Sequence, residues 1–257
     1  MSLKRVLEDY KKGKITLDEA EREVRLFNIK EISNSVLDTH RDYRAGAPEV
    51  IFGEGKTDRD ILDIVKKLVK ERGRCIVTRL TPSRMKALRK KISDGTIEEN
   101  VRAGVLIVRH KGYKTTETGG RVAVLCAGTS DISKAEEAKI ISQEMGCRVY
   151  TFYDVGVAGI HRLIPAIEEI IREDIDAVIV AAGMEGTLPS VVAGLVDVPV
   201  IGLPISTGYG VGGRGEAALL AMLQSCSPGL ATVNVDNGFG AGVVASIIAN
   251  RVAKFRK

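Results

Sequence analysis

The sequence predicts an α/β protein: a three-layer domain on a parallel sheet over residues 121–257, preceded by a helical and small α/β region over residues 1–120. Three observations carry that expectation. Runs such as Ala177-Val-Ile-Val-Ala181 are apolar without alternation, as strands are when both faces are covered. Such runs alternate with segments of helical pattern. Glycine-rich turns follow them, at Asp154-Val-Gly156-Val-Ala-Gly159, Ala182-Gly183-Met184-Glu185-Gly186 and Ser206-Thr207-Gly208-Tyr-Gly210. In a parallel sheet these turns share the carboxyl ends of the strands, where ligands bind.

The first forty residues read as helices. Thr16-Leu-Asp-Glu19 has the spacing of a capping box, after which Ala20, Val24 and Phe27 keep helical period. With too few apolar residues for its own core, this piece is expected to dock on a neighbour. From Glu49 the pattern becomes βαβαβ, with strands at 49–52, 75–78 and 105–108 and helices at 59–71 and 82–91. Ile61, Ile64, Val65 and Leu68 share a face of the first helix, and Thr81-Pro82 supplies the N-cap and first-turn proline of the second. The polar stretch 111–120, ending in Gly119-Gly120, reads as a linker. Beyond it, strands are expected at 122–126, 148–152, 177–181, 200–203 and 231–235. Helices should fill 133–145, 161–172, 188–195, 215–224 and 240–252. Ser133-Lys-Ala-Glu136 reads as another capping box, and Gly146 as the glycine that ends its helix.

Bulk properties narrow the function. Hydrophobic residues make up 44% and charged residues 28%, the balance of a soluble globular protein. No run approaches the roughly 18 apolar residues of a membrane span. The charged start, Met-Ser-Leu-Lys-Arg, lacks a signal-peptide core, so a cytoplasmic protein without a membrane partner is expected. Cys75, Cys126, Cys147 and Cys226 form no C-x-x-C pair, and His40, His110 and His161 lack ligand spacing, which argues against zinc and disulfides. The net charge of +5 comes without a basic tract or aromatic platform, which argues against nucleic acid and fits a basic rim around an anionic small molecule.

The candidate site residues stand in the turns. Gly128-Thr129-Ser130-Asp131 puts a small residue and two hydroxyls before a helix N-terminus, which suits phosphate or carboxylate; an ordinary turn capped by Asp131 reads equally well. Cys126, ending an apolar strand, reads as core. Asp154, Gly156, His161 and Arg162 gather an acid, an imidazole able to move protons near neutrality and a guanidinium around the second turn, with a structural His161 as the alternative. Glu185 is either a general base or ring-contacting carboxylate, or a cap neighbour held by the helix dipole. Gly208-Tyr-Gly210-Val-Gly-Gly213 matches G-x-G-x-x-G with Asp236 as ribose acid, but one following strand is too few for a two-halved dinucleotide sheet. Cys226 lies in a polar turn before Pro228-Gly229, an unusual place for a core cysteine. A thiol is the best side-chain nucleophile near neutral pH, although the dipole of its own helix opposes ionisation there.

Asp38-Thr-His40-Arg41, Pro48-Glu-Val-Ile-Phe-Gly53, Gly128-Thr-Ser-Asp131, segments 154–163 and 182–189, Gly208-Tyr-Gly210, Ser225-Cys226 and Asn234-Val-Asp-Asn-Gly-Phe-Gly240 follow one another in order, spread from residue 38 to residue 240. In these segments the chain resembles the LarB family, pyridinium-3,5-biscarboxylic acid mononucleotide synthases of nickel-pincer cofactor assembly and lactate racemase maturation. That family's C-terminal domain is similar to PurE, the aminoimidazole ribonucleotide carboxylase/mutase. The resemblance implies a PurE-like, flavodoxin-like domain. It also implies carboxylation of nicotinate adenine dinucleotide at ring carbon five, with CO2 as co-substrate, then phosphoanhydride cleavage releasing AMP. Cys226 would be the nucleophile at ring carbon four. Glu185, His161 and Asp154 would handle protons and orient the ring. Gly128, Thr129, Ser130, Asp131, Gly156, Arg162, Gly183, Met184, Gly186, Gly208 and Gly210 would bind ribose and phosphates. His161-Arg162 occupies the place of the PurE catalytic histidine in different surroundings. Magnesium can assist the phosphoanhydride step, with Asp236 as its one named ligand. A homo-oligomer, an octamer built through the sheet domain, is implied as well. Two other readings stay open: a PurE-type enzyme without a covalent thiol, and a module that binds nucleotide without turnover.

Overall fold

The computed structural model describes residues 3–27, 41, 45–93 and 95–256; the helix expected after residue 27 and the Asp38-Thr39-His40 segment lie outside the described residues. Helices α1 (Leu3–Lys11) and α2 (Leu17–Phe27) pack against each other, burying Val6 and Ala20. The capping box forms: the Glu19 amide donates to Thr16 Oγ1 at 3.2 Å, and the Thr16 amide to Glu19 Oε2 at 2.8 Å.

Next come β1 (Val50–Phe52), α3 (Asp58–Arg72), β2 (Arg74–Thr78), α4 (Pro82–Lys91), β3 (Thr96–Asn100) and β4 (Val105–Arg109), in a sheet of order β1-β2-β4-β3. Thr57 and Asp60 close a reciprocal cap on α3, Gly73 ends it at φ 79°, and Thr81 caps α4. The βαβαβ expectation needs correction. Strand β1 is parallel to β2, but β4 runs antiparallel to both β2 and β3, and β3 was not foreseen. Its sequence, Thr-Ile-Glu-Glu-Asn, lacks an apolar signal because it is an edge strand. Glu98 meets Arg109 at 2.8 Å and Glu99 meets Arg89 at 3.4 Å, and charges on an edge discourage pairing with other chains.

The second sheet follows from β5 (Arg121–Cys126), α5 (Ile132–Glu144), β6 (Arg148–Phe152), a short 3-10 helix (Val157–Arg162), α6 (Ile164–Arg172), β7 (Ala177–Ala182), α7 (Leu188–Ala193), β8 (Val200–Pro204), α8 (Glu216–Leu223), β9 (Leu230–Thr232) and α9 (Gly238–Ala253). All its pairs are parallel, in the order β6-β5-β7-β8-β9, the flavodoxin-type arrangement. Alternate residues serve opposite layers. Val122, Val124, Ile179 and Ile201 meet α5 and α9, while Ala123, Leu125, Val178 and Val180 meet α6, α7 and α8. Each fully buried Leu or Ile contributes about 1.5–3 kcal/mol, so the two-sided strands dominate the stability of this layer.

Three local expectations change. No side-chain cap bond forms at the start of α5, because the Glu136 carboxylate turns to Asn100, Lys139 and Tyr153 instead of closing a box with Ser133. The helix expected from residue 161 is a 3-10 turn through Arg162, and α6 begins at Ile164 with Pro165 in its first turn. The last strand ends at Thr232 rather than 235. Gly146, at φ 85°, does end α5 as foreseen.

The mixed sheet lies against the same helices that cover the parallel one. Ile76, Val105 and Ile107 pack on Ile140 and Ile141 of α5, on Met145 just beyond it, and on Phe239 and Val243 of α9. Helix α5 thus belongs to both cores, with its N-terminus at the carboxyl ends of the parallel strands.

Candidate active site

Connections leave β5 and β7 towards opposite edges of the sheet, and the turns beyond these neighbouring strands part to leave a cleft, the place an open α/β sheet offers a ligand. Its volume is about 470 Å³, within the roughly 300–1,000 Å³ of small-molecule sites. Four turns supply the walls: Gly128, Ser130 and Asp131 after β5; Gly156 and Arg162 after β6; Gly183, Met184 and Glu185 after β7; and Gly208 after β8.

Asp131 is the hub. Its carboxylate accepts from the Gly128 amide at 2.8 Å and the Ser130 hydroxyl at 3.4 Å, and it faces the Gly183 amide and the Thr207 hydroxyl. One side chain therefore joins three of the four turns. Burial holds its carboxyl above the ordinary carboxylate range, with those hydrogen bonds opposing the shift. A raised folded pKa means that ionisation costs folded-state stability as pH climbs through it, and the cost vanishes below the unfolded value of about 4. Thermal unfolding of wild type and Asp131→Asn from pH 7 to pH 4 should show the wild type gaining on the variant as pH falls. A gap moving the other way would contradict the assignment.

Close backbone approach shapes the other turns. A Cβ on Gly156 would stand 2.6 Å from the Ala127 carbonyl, so the turns after β5 and β6 can touch only through a glycine. Gly186, at φ 63°, lies where a Cβ would meet the Ala218 backbone of α8 at 2.7 Å. Gly186→Ala should therefore lower stability by about 1–3 kcal/mol in urea unfolding; an unchanged midpoint would remove this packing argument. Asp154 (φ 59°) and Met184 (φ 48°) hold left-handed backbone without being glycine, and such strained residues gather at functional turns. Arg162 Nη1 meets Asp154 Oδ2 at 2.6 Å with both side chains substantially exposed, so this pair aims the guanidinium at the mouth more than it stabilises the fold.

Other candidates lie elsewhere. His161 is exposed on the 3-10 helix and is not on the cleft wall; Asp154 reaches the cleft only through Arg162. Thr129 turns its carbonyl to Arg102, and Gly186 and Gly210 are not on the cleft wall. Both Asp236 oxygens are taken by Ser206, from its amide at 2.9 Å and its hydroxyl at 2.6 Å. Asp236 thus pins the turn after β8, and among the described residues no group of three or more His, Cys, Asp or Glu side chains is placed to share an ion. Cys126 is buried under the cleft, its thiol pushed up to about 11 by burial, which leaves it inert near neutrality.

Cys226 is exposed, between the end of α8 and the start of β9. A segment that enters a parallel strand lies at its amino end, opposite the cleft. The structure does not bring Cys226 into the cleft of its own chain.

Several residues that position the site escaped sequence reasoning. Arg102, in the β3–β4 turn, donates to the Thr129 carbonyl at 3.0 Å. Asn100 donates to Glu136 at 2.7 Å, and Glu136 also accepts from Lys139 at 3.0 Å and from the Tyr153 hydroxyl, next to Asp154. Burial opposes it, yet these hydrogen bonds hold the Glu136 carboxyl below the usual range. The mixed sheet thereby braces two cleft turns. Of these residues, only Tyr153 carried a signal, through its place beside Asp154. Thr207, Leu188 and Tyr209 complete the wall.

A family model described as AIR carboxylase matches residues 121–257, and one described as LarB/PurE-like N-terminal domain matches residues 29–109. The chain is 46% identical over 257 residues to the uncharacterized protein MJ0165 of Methanocaldococcus jannaschii, covering 98% of this chain and 99% of that protein. It is 35% identical over 127 residues to the N5-carboxyaminoimidazole ribonucleotide mutase of the same organism, covering 48% of this chain and 75% of the mutase. The mutase of Thermotoga maritima is 29% identical over 135 residues, covering 50% of this chain and 74% of that protein. The mutases match about half of this chain, whereas MJ0165 matches nearly all of it.

Proposed function

This chain belongs to the LarB family, of carboxylase/mutase type, and from that premise we propose that it carboxylates the pyridinium ring of nicotinate adenine dinucleotide and then cleaves the phosphoanhydride to release AMP. The observation that carries this reading over a plain mutase is the LarB-type N-terminal match joined to an AIR carboxylase-type domain.

The chemistry calls for a thiol. A pyridinium ring is electron-poor and does not attack CO2. Thiolate addition at ring carbon four gives a dihydropyridine whose carbon five is the nucleophilic end of an enamine. Carbon five forms its bond to CO2, its proton leaves to a base, and expulsion of the thiolate from carbon four restores the aromatic cation. One CO2 is gained, one proton is lost and the thiol is regenerated, without an oxidant. Cys226 is the nucleophile of this scheme. Glu185, on the cleft wall, is the carboxylate suited to take the proton. The amides around Gly128 at the N-terminus of α5, with Arg162 at the mouth, suit the phosphates. Water then cleaves the anhydride.

A second reading is an aminoimidazole ribonucleotide mutase, favoured by the 35% identity over about half of the chain. Incubation with nicotinate adenine dinucleotide and labelled bicarbonate separates the two. AMP together with a nucleotide heavier by one labelled carboxylate is expected. Carboxylate transfer on aminoimidazole ribonucleotide alone would favour the mutase, and dinucleotide binding without product would leave a binding module.

A further inference from the structure

We propose that the mixed-sheet region holds a second small-molecule site, a cavity beside α3 that takes a hydrocarbon chain ending in a carboxylate or phosphate. It shares no wall residue with the cleft, and the inference does not depend on the reaction assigned there.

The cavity follows from how the mixed sheet is covered. One face, with Ile76, Val105 and Ile107, lies against α5 and α9, so the alternate residues Cys75, Val77, Leu106 and Val108 turn to α3 and α4. Helix α3 joins β1 to β2 and lies mainly over β2. Towards β4 and the turn into β3 it leaves a gap of about 620 Å³, larger than the 470 Å³ of the cleft and of small-molecule size. Leu62, Val65 and Val69 of α3, Ile92 after α4 and Val108 of β4 form its walls. Leu62, Val69 and Ile92 are only half-buried, so the core leaves apolar surface open here. The walls are fixed without a ligand. The His110 amide donates to the Gly73 carbonyl at 2.7 Å, tying the exit of β4 to the end of α3. Gly95 has φ 105°, and a Cβ there would run into the Arg109 carbonyl, so only glycine lets this turn close on β4.

The rim has one sign. Lys66 and Lys70 stand one turn apart on α3, and His110 and Lys111 line the cavity from beyond β4. The His110 Nδ1 donates to the Lys111 carbonyl at 2.8 Å, which holds the ring in place. Among the described wall residues there is no Asp or Glu, and the carboxylates of α3, at Asp58, Asp60, Asp63 and Glu71, lie off the wall. None of the three lysines is in an ion pair with a described residue. Lys70, in the last turn, suits the helix dipole. Lys66 lies mid-helix, where the dipole does nothing for it and its spacing to Lys70 is repulsive. An anion between them removes that repulsion. The wall carries no Phe, Tyr or Trp on which a base could stack, so a hydrocarbon chain fits better than a nucleotide. Charge also argues against a second copy of this chain, since two such rims docked together would oppose lysine to lysine.

Calorimetric titration of the full chain with decanoate and with decyl phosphate, each below its micellar concentration, tests the site. Both should bind, and decanol, which has the chain without the charge, should bind at least about tenfold more weakly. Two variants should each weaken decyl phosphate by at least about tenfold: Val69→Trp, which fills the cavity, and the triple change Lys66→Glu, Lys70→Glu and Lys111→Glu, which reverses the rim. The three lysines are exposed, so the triple variant keeps the test open if Val69→Trp does not fold. Failure of both amphiphiles to bind, equal binding of decanol, or undiminished binding in either folded variant would overturn the site. Light scattering that shows Val69→Trp dissociating an assembly present in wild type would give the cavity to a second copy and overturn it as well. So would co-sedimentation with phosphatidylglycerol vesicles by a chain that binds neither free amphiphile, which would give this face to a membrane.

Discussion

Replacing Cys226 by alanine is expected to lower carboxylation by about 10³-fold or more while leaving dinucleotide affinity within about threefold. The asymmetry follows from the division of labour. In the proposed function the phosphate and ribose groups are held at the cleft wall, at Gly128, Ser130, Asp131 and Arg162, and Cys226 is not on that wall. The thiol acts only on the ring, and without it carbon five has no nucleophilic character. Serine at 226 should be about as poor as alanine, since a hydroxyl is scarcely ionised near neutrality. Cys126→Ala should keep turnover, because the Cys126 thiol, pushed up to about 11, is almost wholly protonated at pH 7. Parallel steady-state kinetics and equilibrium binding check all three. Undiminished turnover in Cys226→Ala would end the covalent account.

The largest loss of stability is expected at Glu144, remote from the chemistry. Its carboxylate, 5% exposed, meets Arg74 at 2.7 Å and is also paired with Arg109. Both arginines come from the mixed sheet and Glu144 from the last turn of α5, so one carboxylate joins the two cores. Glu144→Ala leaves the poorly solvated Arg74 guanidinium without its carboxylate and Arg109 with Glu98 alone, which costs about 3–5 kcal/mol. Urea unfolding followed by circular dichroism should show this as a clearly lower midpoint, with Glu144→Gln intermediate. A loss below about 1 kcal/mol would mean that water already solvates the joint.

The parallel sheet was legible because strands covered on both faces leave continuous apolar runs, as at Ala177–Ala182. Strand β3 was not, because an edge strand covered by charge has the composition of a loop. Ser133 and Glu136 had the spacing of a cap, but that spacing is local. The actual partners of Glu136, Asn100 and Tyr153, lie 36 and 17 residues away, and tertiary bonds overrode the motif. The glycine turns marked the cleft because close backbone approach demands glycine whatever the ligand. The hub role of Asp131 was hidden, since its partners Gly183 and Thr207 come from turns after other strands. The remoteness of Cys226 was readable all along: a residue between a helix and the parallel strand it enters belongs to the amino end. Chemical plausibility drew attention to the thiol before topology could locate it.

The covalent account stands or falls on a bond between the sulfur at position 226 and a pyridinium ring. Peptide mapping by mass spectrometry, after incubation of the assembled protein with the oxidised dinucleotide and rapid acid quench, reads that bond. The predicted result is an added mass on the peptide containing Cys226, present in wild type and absent from Cys226→Ala. Carboxylation proceeding with that peptide unmodified, or the added mass found on Cys126, would contradict it.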